Sequence, residues 1–271
     1  MIRAVVCGTN SVDPRYYDGW NGGPLLWPVQ DALKFADKLR ELAYPQPIDI
    51  AVLIHKDWTP ARTLEELFHR AQRMDPDRDE FVGFVSGHGT QEPDRDGDEP
   101  DGYDEVICAH GGKIRDDFLG QAWRAFPARS PCWWVADTCH SATGYRGGPG
   151  GAAARGRFSG GRFPLTMRSV MRCGFEGQLI AMTGCDDDRV SYDGRRGGEF
   201  TEALLTTWGN GPWERSWLDR ALRRNAGVDR DDRLGWTARL STLVRRDQRP
   251  HYEEWGAVTD EFRRSMPGWR K

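Results

Sequence analysis

The six cysteines, at positions 7, 108, 132, 139, 173 and 185, form no C-x-x-C pair and keep no metal-ligand spacing with the six histidines. That excludes a structural zinc site and, in a reducing compartment, a disulfide framework. No stretch approaches 18 apolar residues, which excludes a membrane-spanning helix. The first eight residues form a short apolar stretch without a cleavage site, so they are expected to be the first strand of a cytoplasmic protein rather than a signal peptide. Neither sign of charge dominates: 38 Lys and Arg against 41 Asp and Glu leave −3, and the global case for binding nucleic acid or an anionic membrane falls away. There is no internal repeat. What remains is a 271-residue chain, 38% hydrophobic, long enough for one large domain or two small ones.

Short apolar runs alternate with helical patterns. Residues 2–7, 48–54, 80–86, 131–136 and 177–183 read as strands, with 103–109 a further short strand or ribbon. Helices are expected over 29–43, 63–74, 114–126 and 199–208; in the first, Leu33, Ala36, Leu39, Leu42 and Ala43 share one face. Alternation at this spacing predicts an α/β fold, a mostly parallel sheet with helices on both faces. Chemistry in such sheets collects where loops leave the carboxyl ends of strands. Two motifs stand at such ends, Ser86-Gly87-His88-Gly89 and Asp137-Thr138-Cys139-His140-Ser141.

A thiol attacks a carbonyl as its thiolate, and a neighbouring imidazole is the usual means of obtaining one. His88 and Cys139 each follow an apolar strand, so both fit one sheet edge. Gly87 and Gly89 would allow a tight turn that presents the imidazole, with the Gly89 and Cys139 amides as oxyanion donors. A histidine packed in a core or loop is the plainer alternative. Cys7 and Cys132 lie within strands and read as buried small hydrophobes.

Two segments break the pattern. Residues 94–105 carry seven acidic side chains in twelve, and residues 144–164 carry eight Gly and four Arg with no acid. The second is expected to be an exposed loop.

These motifs resemble those of the metacaspases and, more loosely, of all caspase-like cysteine peptidases. Ser86–Gly89 is similar to the family's S-G-H-G, residues 98–105 to its D-E-x-D-G-x-D-E, residues 137–141 to D-S-C-H-S and residues 183–187 to S-G-C-x-D. The likeness runs from about residue 2 to 208. It implies a caspase–haemoglobinase three-layer sandwich over residues 1–212, divided into a large segment (1–143), the Gly/Arg loop and a small segment (165–212). Residues 213–271 are then expected to be a helical part packed on the same domain, with helices at 215–224 and 237–246.

The resemblance further implies an endopeptidase cutting after Arg, with Lys second, through Cys139 as nucleophile and His88 as general base and acid. Asp31, Ser86 and Asp137 match the positions of the pocket for the substrate's P1 side chain, and Asp186 or Asp187 is expected at its far side. Paired carboxylates favour a guanidinium through bidentate, charge-assisted bonds and reject a P1 Asp. Pro28 stands where metacaspases often carry a Cys, so the pocket wall is expected to differ. Without the family, Asp31 reads as a helix N-terminal carboxylate.

No cofactor is implied for the chemistry, but calcium is an implied activator. An EF-hand is rejected, because Glu99 occupies the position of the obligatory Gly. The family's regulatory site maps instead near Asp101 and onto Asp116 and Asp117. A solvated acidic loop is the alternative. Arg146, Arg155, Arg157 and Arg162 suit activation by cleavage of the Gly/Arg loop, by the enzyme itself or by an upstream protease. The readings in play are therefore a protease of a bacterial defence or regulated-death cascade, antiviral defence included; a calcium-activated, self-processing metacaspase; and an inactive scaffold.

Overall fold

The computed structural model describes residues 1–93, 103–138, 174–184, 196–208, 251–259 and 262. In chain order the elements are β1 (Ile2–Gly8), α1 (Pro28–Ala43), β2 (Ile48–Ile54), α2 (Pro60–Gln72), β3 (Glu80–Pro93), β4 (Tyr103–Ala109), β5 (Gly112–Arg115), α3 (Asp116–Arg124), β6 (Pro131–Thr138), β7 (Gln178–Thr183), α4 (Glu199–Trp208) and β8 (His251–Trp255).

The central sheet has the order β2-β1-β3-β6-β7-β8, parallel throughout except for β8, which runs antiparallel to β7. Its inner strands are apolar on both faces, as sheets covered by helices on both sides require. In β1, Val5 and Cys7 join the core under α2 and α3, while Ala4 and Val6 join the core under α1 and α4. β6 divides likewise, Cys132, Trp134 and Ala136 facing one way and Trp133 and Val135 the other.

Local signals place the helices on these faces. Pro28 opens α1 at a position where its missing N–H costs nothing, and Phe35 stacks on Phe84 of β3 at 4.2 Å between ring centroids. α2 is capped by Thr59, whose hydroxyl accepts from the Arg62 N–H, with Pro60 next in the first turn. Among the described residues no helix is long and apolar enough to cross a membrane.

The architecture is the expected caspase-like α/β sandwich, with local differences. The helix expected over 114–126 begins at Asp116, because Gly112–Arg115 pairs with β4, Ile114 opposite Ile107. The strand expected to end at Ser86 continues to Pro93: beyond Gly87 it leaves the parallel sheet and pairs antiparallel with β4. Gly87 and Gly89 therefore lie within a continuous strand rather than a tight turn. Two carboxylates of the acidic stretch, Asp104 and Glu105, are buried in β4 instead of solvated.

The C-terminal part also differs. It supplies an edge strand, β8, where a helical tail is expected, and packs Val258 and Phe262 into the core under α1 and α4. Backbone pairing with β7 decides this, and the sequence of a five-residue edge strand carries little sign of it. The helices expected at 215–224 and 237–246 lie outside the described residues.

Candidate active site

β1 has β2 on one side and β3 on the other, so consecutive connections diverge at its carboxyl end and open a crevice there. The loop after β1 (residues 9–27), the second half of β3 and the end of β6 all meet at that edge. His88 occupies the crossover of β3: Gly87 is its last residue paired with β6, opposite Thr138, and His88 is the first paired with β4, opposite Cys108. Its ring is half-buried against the β1 loop.

The imidazole Nε2 lies 3.1 Å from the Gly23 carbonyl oxygen. A carbonyl only accepts, so in this bond Nε2 carries the proton and Nδ1 of the neutral ring is left as the basic nitrogen. Gly22 admits the ring to this place. It has φ +78°, and a Cβ there would stand 2.6 Å from Cδ2 and 2.7 Å from Nε2 of His88. The Trp20 indole borders the same imidazole, with ring centroids 5.4 Å apart.

A second group forms on the α1/α4 face of the same edge. Ser86 is buried and pairs with Asp137 in register, and by strand alternation both follow Val82, Phe84, Trp133 and Val135 onto that face. Asp31, in the first turn of α1, is fully buried. The glycine pair just ahead of α4 brings Asp31 and Asp137 together. The Gly198 N–H donates to Asp31 Oδ2 (2.8 Å), and the Thr201 N–H (3.2 Å) and hydroxyl (2.6 Å) donate to Asp137 Oδ2. Both carboxylates lie within 3.0 Å of where a Cβ on Gly198 would sit, so a larger residue there would displace one of them.

Lys34 completes the arrangement by reaching from α1 to the Arg196 carbonyl (2.6 Å) and to Glu202 (2.5 Å). Two buried like charges at close range are costly unless donors meet them. The N-terminal N–H groups of a helix are suited to that task. The result is a pair of buried carboxylates held by donors from the start of α4, at the strand ends that also carry Ser86 and His88.

The three described cysteines are poor nucleophiles by environment. Burial pushes the Cys108 thiol up to about 12, and burial also raises Cys7 and Cys132 well above the ordinary thiol value. β6 ends at Thr138, directly before Cys139 in the chain. Cys139, Asp186, Asp187, Asp101 and the four loop arginines (146, 155, 157 and 162) lie outside the described residues.

Asp116 and Asp117 occupy the first turn of α3, and Asp116 is buried. Among the described residues no three His, Cys, Asp or Glu side chains are grouped to hold a metal ion.

Comparison with known proteins agrees with this fold. The family model described as "Caspase domain" matches residues 3–254. The chain belongs to the caspase-domain family. The match runs well beyond residue 208, where the likeness was expected to fade, and takes in all but the last residue of β8. Among similar proteins, this caspase domain is 30% identical to Metacaspase-3 of Arabidopsis thaliana over 155 residues, which is 52% of this chain and 40% of that protein. It is 39% identical to Metacaspase-1 of Cryptococcus neoformans over 90 residues, 31% of this chain and 20% of that protein. The chain thus spans two fifths or less of the length of these curated relatives. A crystal structure of a Geobacter sulfurreducens protein superposes with a TM-score of 0.71 at 25% identity, covering 98% of both chains.

Of the expected site residues, the fold brings His88, Gly89, Ser86, Asp31 and Asp137 to one edge, with Gly89 opposite Ile107 in the ribbon. Sequence reading missed Gly22 and Gly23, Trp20, the pair Gly197-Gly198, and Thr201. The two Gly-Gly pairs are visible in the chain as signals of close backbone approach. Apart from Glu202 against Gly197, what approaches them is decided by residues more than 60 positions away.

Proposed function

We propose that the chain is a cysteine endopeptidase that cleaves after Arg, with Lys second. The observation that supports this reading is His88, with Nε2 committed to the Gly23 carbonyl, at the same sheet edge as the buried carboxylates of Asp31 and Asp137. Cys139 follows Thr138 directly in the chain, and Thr138 pairs with Gly87 next to His88.

In this mechanism His88 Nδ1 accepts the Cys139 proton and the thiolate adds to the scissile carbonyl carbon. The Gly89 and Cys139 amides hold the oxyanion. His88 returns the proton to the departing amine as the C–N bond breaks, leaving a thioester. Water, deprotonated by His88, then attacks the thioester, the C–S bond breaks and the thiol is regenerated. Thiol and imidazole complete this chemistry without a cofactor.

Asp31, Ser86 and Asp137 select the P1 side chain. Two carboxylates offer planar, bidentate partners that a guanidinium satisfies better than an ammonium, and they repel an acidic P1 residue. Asp186 or Asp187 closes the far side of the pocket. Cleavage at Arg146, Arg155, Arg157 or Arg162 by an upstream protease is the activating event, and the chain acts within a bacterial defence or regulated-death cascade. Calcium at Asp101, Asp116 and Asp117 is the alternative trigger.

The test is cleavage of fluorogenic peptides differing only at P1 (Arg, Lys, Asp, Ala), with calcium and with chelator, on intact protein and on protein cut within 144–164. Turnover ordered Arg, then Lys, over Asp and Ala, and abolished in Cys139→Ala, is the expected result. Turnover unchanged in Cys139→Ala would overturn the nucleophile, and equal rates on all four peptides would overturn the pocket. Chelator-sensitive turnover of intact protein would favour calcium over cleavage as the trigger.

A further inference from the structure

We infer that Trp20 is a positioning residue that sets the plane of the His88 imidazole, and that it is itself held by the β4–β5 ribbon through Tyr17. The inference rests on the reading of His88 as the general base.

A hydrogen bond from Nε2 to the Gly23 carbonyl fixes one direction of the ring and leaves rotation about that direction to be settled by packing. The surfaces around the ring settle it. Gly22 abuts the Cδ2–Nε2 edge so closely that no Cβ fits. The Trp20 indole borders the ring at 5.4 Å between centroids, with the planes inclined at 59°. An imidazole turned out of its place would meet one or the other.

Trp20 is in turn located by Tyr17. Its N–H donates to the Tyr17 carbonyl (2.9 Å), and the two rings meet edge to face at 5.9 Å. Tyr17 is buried, and its hydroxyl lies between the carbonyl oxygens of Ala109 (2.5 Å) and Gly112 (2.7 Å), at the turn between β4 and β5. The Lys113 ammonium stands over the Tyr17 ring at 5.7 Å, and the Asp13 N–H ties the same loop to the His110 carbonyl at 3.0 Å.

The ribbon that anchors Tyr17 also pairs with β3 at His88, opposite Cys108. Backbone and ring of His88 are therefore referred to one unit, the backbone by the β-ladder and the ring through Tyr17 and Trp20. A proton acceptor must point at the thiol to within a fraction of an ångström, and a 1 Å error can cost about a hundredfold in rate. That is the task this aromatic relay performs.

The test compares wild type with Trp20→Ala, Trp20→Phe and the neighbouring, exposed Tyr16→Ala, on a P1 Arg peptide and by iodoacetamide alkylation of Cys139 at pH 7. Alkylation reads the thiolate that His88 sustains and does not depend on peptide turnover. Trp20 is half-buried in a loop, so the thermal midpoint is expected to stay within a few degrees. Trp20→Ala is expected to lose about 10- to 100-fold in kcat, with KM within about twofold and Cys139 alkylation slowed in step. Trp20→Phe, which keeps a flat ring, is expected to recover most of both, and Tyr16→Ala to match wild type. Wild-type kcat in Trp20→Ala, a loss confined to KM, or no recovery with Phe would overturn the inference. Turnover or alkylation that survives unchanged in His88→Ala would instead overturn the dyad on which it rests.

Discussion

At the scale of single residues, environment sets the reactivity of the three described cysteines before any chemistry is invoked. Cys7, Cys108 and Cys132 are enclosed by the core, and removal of water from around their sulfurs disfavours the thiolate. All three should resist iodoacetamide in the native protein at pH 7.5 and become reactive on unfolding in urea, as read by peptide mapping. Rapid native-state labelling of Cys7 or Cys132 would contradict the packing described. The same scale explains the glycines beside the two carboxylates. Gly197 and Gly198 are small because Asp31, Asp137 and Glu202 occupy the space that a side chain would need.

At the scale of elements, α4 acts on the sheet through its first turn. Its Thr201 N–H and hydroxyl both donate to Asp137 near the end of β6, joining a helix terminus to a strand terminus. Removing the hydroxyl while keeping the shape, in Thr201→Val, deletes a charge-assisted hydrogen bond worth about 1.5–3 kcal/mol when buried. The variant should unfold at lower urea concentration, and its preference for P1 Arg over P1 Lys should shrink as Asp137 loses its fixed orientation. An unchanged Arg-to-Lys ratio, measured as kcat/KM, would show that Asp137 is held without Thr201.

At the scale of the molecule, the two ends of the sheet carry different duties. The carboxyl ends of β1, β3 and β6 gather the candidate site. The amino ends gather an ion network in which Arg3 meets Asp79 (2.7 Å) and Asp49 (3.0 Å), and the buried Arg70 meets Asp49 (3.0 Å) and Glu66 (2.5 Å). For Asp79, burial alone would raise the carboxyl, but the Asp75 N–H and the Arg3 side chain outweigh it and hold the group below its ordinary value of 3.8. A folded-state value lower than the unfolded one means that this stabilisation is complete above the ordinary value and is lost as pH falls through the depressed one. Asp79→Asn should therefore lower the urea midpoint at pH 7, and should narrow the gap between midpoints at pH 7 and pH 3. Peptide turnover at pH 7 should stay near wild type, because the network lies at the opposite end from His88.

Much of this was decided by the chain itself. Strands apolar on both faces, alternating with helices marked by Pro28, Thr59-Pro60 and Asp116-Asp117, leave a helix-covered parallel sheet as the arrangement that buries them all. His88 and Cys139 could be singled out because each follows an apolar run within a motif, which in a parallel sheet means the same edge, whereas Asp31, Ser86 and Asp137 were marked by the family resemblance. Tertiary structure decided what those runs do not encode. β3 continues past Gly87 because β4 offers a partner backbone there, and β8 is a strand because β7 had an open edge. The partners of His88 and of the two carboxylates come from Trp20–Gly23 and Gly197–Thr201. Those segments reach the site through chain connections, and local side-chain patterning carries no record of which distant residue a loop will meet.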